Sequence, residues 1–512
     1  MFGGYIKMSL SPTQQEVVNT PGNMIVRASA GTGKTHTMVS KIAKEIEENH
    51  THKVIAAITF TVKAAKEIRD RLAIDTSEHF IGTNNSFAIE EIIKPFAKDV
   101  YGNNFKIEMS TDYSIKEHTY QQCMDHLKKN KIICSYNDNA KNFVFELALN
   151  IVKKSRACRL FLKAKYFKIY VDEYQDCDRT MHDFFMYLCN ELGIELFVVG
   201  DEKQSIYIWR GAYPEAFHSI WTMDNFKKMK LRKNYRSCQM IQNYSNLLYD
   251  DTKDLYIKDT NTSSIILLNT TSTKWKQDVI TFLDLSKNTA LLRFSNANAK
   301  KGAEEMSSSG TKFIYVPKTP ISEITTNVSW LYNAIAQYFI LPKYSEYDFI
   351  NEIPEESIGN RKIMNYIKSQ LGSLKTALKN GDDDSVIDTT TDIASYFGYE
   401  ISEDHIRQMI QTIINEEYYP AFHMEELTHV AITFHASKGL EYDQVIVFVS
   451  DYALNTPESI YNHYVAVTRA KSKLIIVKLD DVNYCAGKQY IQNLSSLFAK
   501  SRVELKDIMT IV

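Results

Sequence analysis

The octapeptide Ala28-Ser29-Ala30-Gly31-Thr32-Gly33-Lys34-Thr35 constrains this 512-residue chain more than any other feature. It follows the apolar run Met24-Ile25-Val26 and precedes a stretch in which Met38, Ile42 and Ile46 share one helical face. Strand, glycine-rich turn and helix, in that order, are the context a phosphate-binding loop of the Walker A type requires. Gly31 and Gly33 let backbone N–H groups turn toward phosphate oxygens, and the N-terminus of the following helix adds positive potential. Lys34 is then placed to reach the β- and γ-phosphates of a nucleotide, and the Thr35 hydroxyl to ligate Mg²⁺.

Short β-branched runs recur along the chain as NMIVRAS, KVIAAITF, FKIYVDE, ELFVVGD and LTHVAITF. Each is followed by a polar or Gly-containing turn and helical spacing, which reads as α/β with parallel sheets. Residues 89–164 and 316–426 are richer in helical spacing. In the second stretch Ile363, Ile367, Leu371, Leu374 and Leu378 form one stripe of an amphipathic helix ending at Asn380-Gly381. The run Asp382-Asp383-Asp384 after it reads as a solvated loop. The expected organisation is two α/β blocks, 1–88 with 165–225 and 226–315 with 427–512, interrupted by mainly helical insertions at 89–164 and 316–426.

Composition narrows the class. A hydrophobic fraction of 44% and a charged fraction of 24% exclude wholesale disorder. Lys plus Arg is 60 against 62 for Asp plus Glu, so a polybasic arm is excluded, although a basic groove can sit inside a neutral total. The seven cysteines are odd in number and form no CxxC, which argues against a disulfide framework, a zinc ribbon or an iron–sulfur cluster and for a cytoplasmic protein. No apolar run reaches the roughly 18 residues of a membrane span. The opening MFGGYIKMSL is no secretory signal, and Met8 is a second candidate start.

Phe167-Lys168-Ile169-Tyr170-Val171 followed by Asp172-Glu173 reads as a buried strand ending in two carboxylates. Asp172 would hold Mg²⁺ and Glu173 would accept the proton of an attacking water. Such a pair is common after strands and does not decide the matter alone. The wider wording does. DEYQD at 172–176 is followed by VVGDEKQSIYIWRGA at 198–212, LRKNYRS at 231–237, ITFHASKGLEYDQVIV at 432–447 and YVAVTRAKSKL at 464–474, with LSPTQQEVV at 10–18 and AITFTVKAAKEIRDRL at 57–72 upstream. In order, spacing and wording the chain resembles the UvrD/Rep/PcrA branch of superfamily 1 helicases.

That resemblance implies two RecA-like motor lobes with ATP and Mg²⁺ bound between them. Gln14 then corresponds to the adenine-reading glutamine, Tyr235 to a ring stacked on adenine, and Glu441 to a group near the ribose. Gln204 would sense the γ-phosphate, and Arg236 and Arg469 would act as two arginine fingers. The chemistry is coherent: phosphoryl transfer needs cations around a spreading negative charge, and one arginine can be worth ~10³–10⁵ in rate. The DNA track would use Tyr207 and Trp209 for bases, with Arg210 beside them, and Thr59, Thr61, Lys63, Thr433 and His435 for the backbone. For Trp209 alone, core packing is the competing reading.

Three departures from the family pattern stand out. Thr83-Asn84-Asn85-Ser86 replaces the usual TFH, His36 stands where an arginine often follows GKT, and 458–463 reads ESIYNH without the usual basic residues. Both insertions are short, and the 43 residues after Arg469 leave no room for a RecB-type nuclease domain. The resemblance implies an ATP-dependent translocase or helicase acting on single-stranded and tailed duplex DNA with 3′→5′ polarity. The alternative it leaves open is an ATP- and DNA-sensing regulatory subunit with a nuclease partner, as in Gabija-type anti-phage systems.

Overall fold

Met24–Ala28 and Val54–Thr59 carry apolar side chains on both faces and are buried almost throughout. Strands of that kind belong inside a parallel sheet covered by helices on both sides. A computed structural model describes residues 10–512 apart from 73, 104, 106–108, 325, 327, 354–360 and 483, so Met8 lies outside the described residues. In chain order its strands are β1 (Met24–Ala28), β2 (Val54–Thr59), β3 (Phe80–Thr83), β4 (Ser110–Glu117), β5 (Ile132–Tyr136), β6 (Tyr166–Val171), β7 (Glu195–Gly200), β8 (Lys227–Leu231), β9 (Ile265–Thr270), β10 (Thr289–Arg293), β11 (Ile314–Tyr315), β12 (His429–Thr433), β13 (Tyr442–Phe448), β14 (Ala470–Leu479) and β15 (Thr510–Ile511). They are parallel wherever their pairing is described, and β4-β5 forms a separate two-stranded sheet, so the chain is α/β, of the two-lobed RecA-like class.

The chain forms two compact units, one of Met1–Ile107, Tyr136–Leu283 and Ser437–Val512, the other of Glu108–Ser135 and Asp284–Ala436. In the first unit six strands run in the order β3-β2-β6-β7-β1-β8. One face of this sheet buries Met24, Val26, Ile55 and Ala57 against Met38, Ile42, Ala65 and Ile68 of the helices Lys34–Glu48 and Val62–Leu72. Parallel pairing sets Arg27 beside Gly200 and Val171 beside Val198, so β1, β6 and β7 all end at one edge. The loops carrying the octapeptide, Asp172-Glu173 and Gln204 therefore leave the sheet together, where α/β folds bind ligands. The same unit holds a second parallel array, β13-β14-β9-β15.

In the second unit β11, β12 and β10 lie side by side in that order. Beyond them a helical core gathers Trp330, Leu331, Ile335, Phe349, Leu371 and Met409. The stripe expected near Ile363 is the helix Arg361–Asn380, with Ile367, Leu371 and Leu374 buried and Gly381 at φ 66° just past its end. The acidic run after it departs from the loop expected. Asp382 caps the helix Asp383–Tyr396 by accepting the Ser385 N–H at 3.1 Å, and Asp383 and Asp384 occupy its first turn. Carboxylates there complement the helix dipole. The insertion at 89–164 also contains β4 and β5; the polar make-up of β4 (STDYSIKE) hid it in the sequence, and β5 (IICSY) is only five residues long.

Candidate nucleotide and nucleic-acid site

The phosphate loop joins β1 to the helix Lys34–Glu48, with Gly31 at φ 75° and Gly33 at φ 79°. A Cβ at Gly31 would fall 2.5 Å from Oδ1 of Asn234, and one at Gly33 would fall 2.9 Å from Nε2 of Gln14. Neighbouring chain thus closes over the loop wherever glycine stands. Lys34 Nζ is 2.8 Å from Oε1 of Glu173. Glu173 itself holds a left-handed backbone, φ 49°, at a non-glycine position, a conformation costing roughly 1–3 kcal/mol that turns its carboxylate toward the loop.

Asp172 is buried, and one of its oxygens accepts the Glu173 amide at 2.8 Å. Burial, and next the Glu173 charge, push its carboxyl well above the usual range. Burial would raise Glu173 too, but the ammoniums of Lys34 and Lys438 overcome it and hold that carboxyl low. The buried Asp172 carboxylate and the Thr35 hydroxyl, at the start of the helix Lys34–Glu48, are hard oxygen donors of the kind that suit Mg²⁺.

Five candidate catalytic residues fall together in the first unit. Arg469 is buried and donates from Nη2 to Oε1 of Gln204 at 3.3 Å and from Nε to the Val465 carbonyl at 2.9 Å. Burial, with Arg236 nearby, pushes its guanidinium down to about 10. Gln204 donates in turn to Asp201 at 2.8 Å. Arg236 follows the Asn234 turn against Gly31 and pairs with Glu441 at 2.6 Å, while its Nη1 donates to the Thr468 carbonyl at 3.2 Å. Glu441 and Arg236 are thus one ion pair beside the loop.

The remaining nucleotide candidates are placed as follows. Ala28, Ser29, Ala30 and Thr32 form the loop wall, where the Thr32 hydroxyl donates to the Ser29 carbonyl at 2.7 Å. Gln14 is buried; its amide accepts from Ser11 N–H at 2.9 Å and donates to the Thr32 carbonyl at 3.2 Å, so both ends are engaged within the protein. Tyr235 donates its N–H to the Gly31 carbonyl at 2.8 Å and leaves its ring 52% exposed. His36 buries Nε2 without a hydrogen-bond partner.

For the nucleic-acid candidates, Trp209 is 53% exposed, which removes the core-packing reading. The Arg210 guanidinium lies 4.6 Å from the Trp209 ring centroid and 5.2 Å from that of Tyr207. Thr61 and Lys63 are exposed, but Thr59 is buried and its hydroxyl donates to the Thr61 carbonyl at 2.9 Å, so it shapes the turn rather than the surface. Thr433 and His435 belong to the second unit, and the Thr433 hydroxyl accepts the Ala436 N–H at 3.2 Å.

Sequence reading missed three members of the site. Lys438 pairs with Asp176 and donates to the Gln204 carbonyl at 3.4 Å. Burial opposes its charge, but the Asp176 and Glu173 carboxylates win and raise its pKa. The Tyr464 hydroxyl accepts the Ala30 N–H at 3.2 Å and donates to Asp201 at 3.2 Å. Gln175 donates to Glu173 and accepts the Asp201 amide at 3.0 Å. Lys438, Tyr464 and Gln175 all lie inside the quoted motif blocks, which was the available signal.

A phosphate loop facing a carboxylate pair, with arginines arriving from distant parts of the chain, defines a RecA-like nucleotide-hydrolysing class. Comparison with known proteins agrees. Residues 10–144 and 112–222 match the UvrD/REP helicase N-terminal domain, and 429–477 match the UvrD-like helicase C-terminal domain. The chain is 38% identical over 497 residues to the Gabija protein GajB of Bacillus cereus (strain VD045), covering 94% of this chain and 97% of that one. It is 29% identical over 297 residues to DNA helicase II of Haemophilus influenzae, covering 48% of this chain and 41% of that one. With ATP-dependent DNA helicase PcrA of Bacillus subtilis it shares 28% identity over 293 residues, covering 46% and 39%. The chain belongs to the UvrD/Rep-like helicases, as a compact member of the Gabija type.

Proposed function

We propose that the chain is a single-strand DNA-stimulated ATPase that translocates 3′→5′, with motor lobes formed by 1–88 with 165–225 and by 226–315 with 427–512. The observation that carries this reading is the Arg469–Gln204 contact beside the phosphate loop, in which an arginine remote in sequence meets the candidate γ-phosphate sensor at 3.3 Å. Lys34 and the loop amides bind the phosphates. Glu173 takes the proton of the attacking water, and Arg236 and Arg469 meet the charge that spreads over the transferred group. Thr35 and Asp172 would hold Mg²⁺, whose charge would offset that of the phosphates. Tyr207 and Trp209 offer faces to unstacked bases, and exposed Lys63 and Arg210 meet phosphates.

The likeness to a Gabija protein over 94% of the chain favours a second layer to this reading. The ATPase then works in the cytoplasm within an anti-phage complex, beside a nuclease subunit, and unwinds little alone. Matched 3′-tailed, 5′-tailed and blunt duplexes at one fixed salt concentration test both, since phosphate contacts make affinity steeply salt-dependent. Unwinding of the 3′-tailed substrate supports the motor. DNA-stimulated ATPase without unwinding, restored by a nuclease partner, supports the subunit reading, and preference for the 5′ tail overturns the polarity.

A further inference from the structure

A lysine without exposed surface is rare in a protein interior. The first unit has two that meet, Lys168 on β6 and Lys41 on the helix Lys34–Glu48. Lys168 and the buried Tyr170, two positions apart, share the strand face that packs on this helix. Glu45 of the helix gathers all three side chains. Its Oε1 accepts from Lys168 Nζ at 2.8 Å and from Lys41 Nζ at 2.8 Å, and its other oxygen accepts the Tyr170 hydroxyl. Lys41 also donates to the Thr20 carbonyl at 2.7 Å, and Lys168 pairs at 3.2 Å with Glu195, its register partner on β7. Burial would raise the Glu45 carboxyl, but Lys168 and then Lys41 overcome it and hold it low.

Stability does not call for such a node. Buried ion pairs are often no better than apolar side chains of similar volume, and their best-attested use is to fix register. Here the register is that of the helix on β6. At the other end of the same contact Lys34, the first helical residue, meets Glu173, just past β6, at 2.8 Å. From Lys34 to Glu45 the helix advances about 16 Å at its ~1.5 Å per residue. From Lys168 to Glu173 the strand covers about the same distance at ~3.3 Å per residue. Helix and strand are thus two rails of equal length with one polar rung at each end. The apolar packing between the rungs, Met38 and Ile42 in one core with Tyr170, is non-directional and tolerates sliding. The hydrogen bonds of the Glu45 rung are directional and do not.

We propose that Glu45 is a positioning residue for nucleotide hydrolysis: by pinning the helix Lys34–Glu48 to Lys168 and Tyr170, it sets Lys34 and Thr35 against Asp172 and Glu173. This rests on the roles given above to Lys34 and Glu173, and Glu45 itself touches no reacting group. A slide of the helix by about 1 Å is enough to cost roughly 10²-fold in rate. Nucleotide affinity changes far less, because the loop amides move with the helix and go on holding the phosphates.

The test is steady-state ATPase of the full chain with saturating single-stranded DNA, beside equilibrium binding of a labelled nucleotide and thermal unfolding. In one variant Lys41→Met, Glu45→Leu, Lys168→Met and Tyr170→Phe together replace the node by apolar groups and leave no buried charge unpaired, so the protein should fold. A second variant, Glu45→Asp, keeps every charge and shortens the reach by one methylene. Both should lower kcat by ~10- to 100-fold while nucleotide Kd stays within about threefold of wild type. Wild-type kcat in either folded variant, or kcat and affinity falling in parallel, overturns the positioning role. Loss of folding in both makes the node a stability element and overturns it as well. Lys34→Ala keeps this inference apart from the reading it rests on. Normal hydrolysis by that variant sinks the site assignment, whereas its inactivity beside normal Glu45 variants sinks the positioning role alone.

Discussion

The ammonium of Lys438 lies 4.7 Å from the ring centroid of Tyr207 while it pairs with Asp176 and donates to the Gln204 carbonyl at 3.4 Å. One buried cation thus touches an aromatic of the candidate DNA track, the loop of the candidate phosphate sensor and the acidic turn after β6. A base that moved Tyr207 would move charge beside Glu173. On the proposed function, these contacts are the route by which strand binding would reach hydrolysis.

Lys438→Met is therefore expected to lower the ratio of DNA-stimulated to DNA-free turnover, by roughly 5- to 150-fold, the range of ordinary coupling energies. Breaking a buried pair also costs about 3–5 kcal/mol, so thermal unfolding is measured in parallel. Lys438→Arg keeps the charge and should keep most of the ratio. Unchanged stimulation in a folded Lys438→Met protein would dismiss the route.

Lys34 and Glu173, 2.8 Å apart, separate binding from chemistry. Lys34→Ala should lose nucleotide affinity and turnover together. Glu173→Gln should still bind ATP but hydrolyse it ~10²–10⁴-fold more slowly, the range for a lost general base. Steady-state ATPase with single-stranded DNA, beside equilibrium binding of a labelled nucleotide, distinguishes the two. Near-normal turnover in both variants contradicts the assignment.

Arg236 meets Glu441 at 2.6 Å and backs onto Gly31, so its guanidinium is held near the loop by a carboxylate. If it stabilises transferred charge, Arg236→Ala should reduce kcat by ~10³-fold or more with a far smaller change in nucleotide affinity. The opposite pattern, weaker binding with unchanged turnover per bound nucleotide, would make it a binding residue only.

Trp209, 53% exposed with Arg210 over its ring, should stack on a base. Trp209→Ala is expected to weaken single-strand affinity by ~1–3 kcal/mol and to pull DNA-saturated turnover down toward the DNA-free rate. Anisotropy titrations at fixed salt measure the first effect. Because the side chain is already outside the core, circular dichroism should show an intact fold; equal affinity in variant and wild type argues against the stacking role.

What was legible in the sequence is local. β1, β2, β6 and β7 announce themselves as apolar runs because both faces are buried, and the phosphate loop because glycine is required at 31 and 33. The helix Arg361–Asn380 is legible because its buried stripe has a helical period. β8 was not, since KKMKL at the sheet edge exposes lysines and carries no alternation a reader could trust. Nor were the contacts that finish the site. Tyr464 reaches Ala30 across 434 positions and Lys438 reaches Asp176 across 262, and no periodicity encodes such a pair. Thr59 shows the converse: its motif suggested a surface role, but its place at the end of a buried strand turns the hydroxyl inward.

His463 gives the fold a pH dependence whose sign is fixed by its surroundings. The imidazole is buried, with Nε2 2.8 Å from the Tyr244 hydroxyl and 3.1 Å from that of Tyr490, and the Tyr452 ring 4.8 Å away. Burial alone drives its pKa down to about 3. The unfolded chain, with an ordinary histidine near 6.5, therefore binds a proton between those values that the native state refuses. Stability from this residue is complete above pH ~6.5 and is lost as pH falls toward the folded value; between pH 7 and 5 the loss is about 2 kcal/mol. His79 and His182 are also lowered by burial and act in the same direction, so the comparison must be between variants. His463→Gln, which keeps a hydrogen-bonding amide beside the two tyrosines but cannot titrate, should reduce the wild-type decline by that amount. Urea unfolding at pH 5, 6 and 7 reads it directly, and parallel pH slopes for the two proteins would show that the imidazole takes up its proton without unfolding the site.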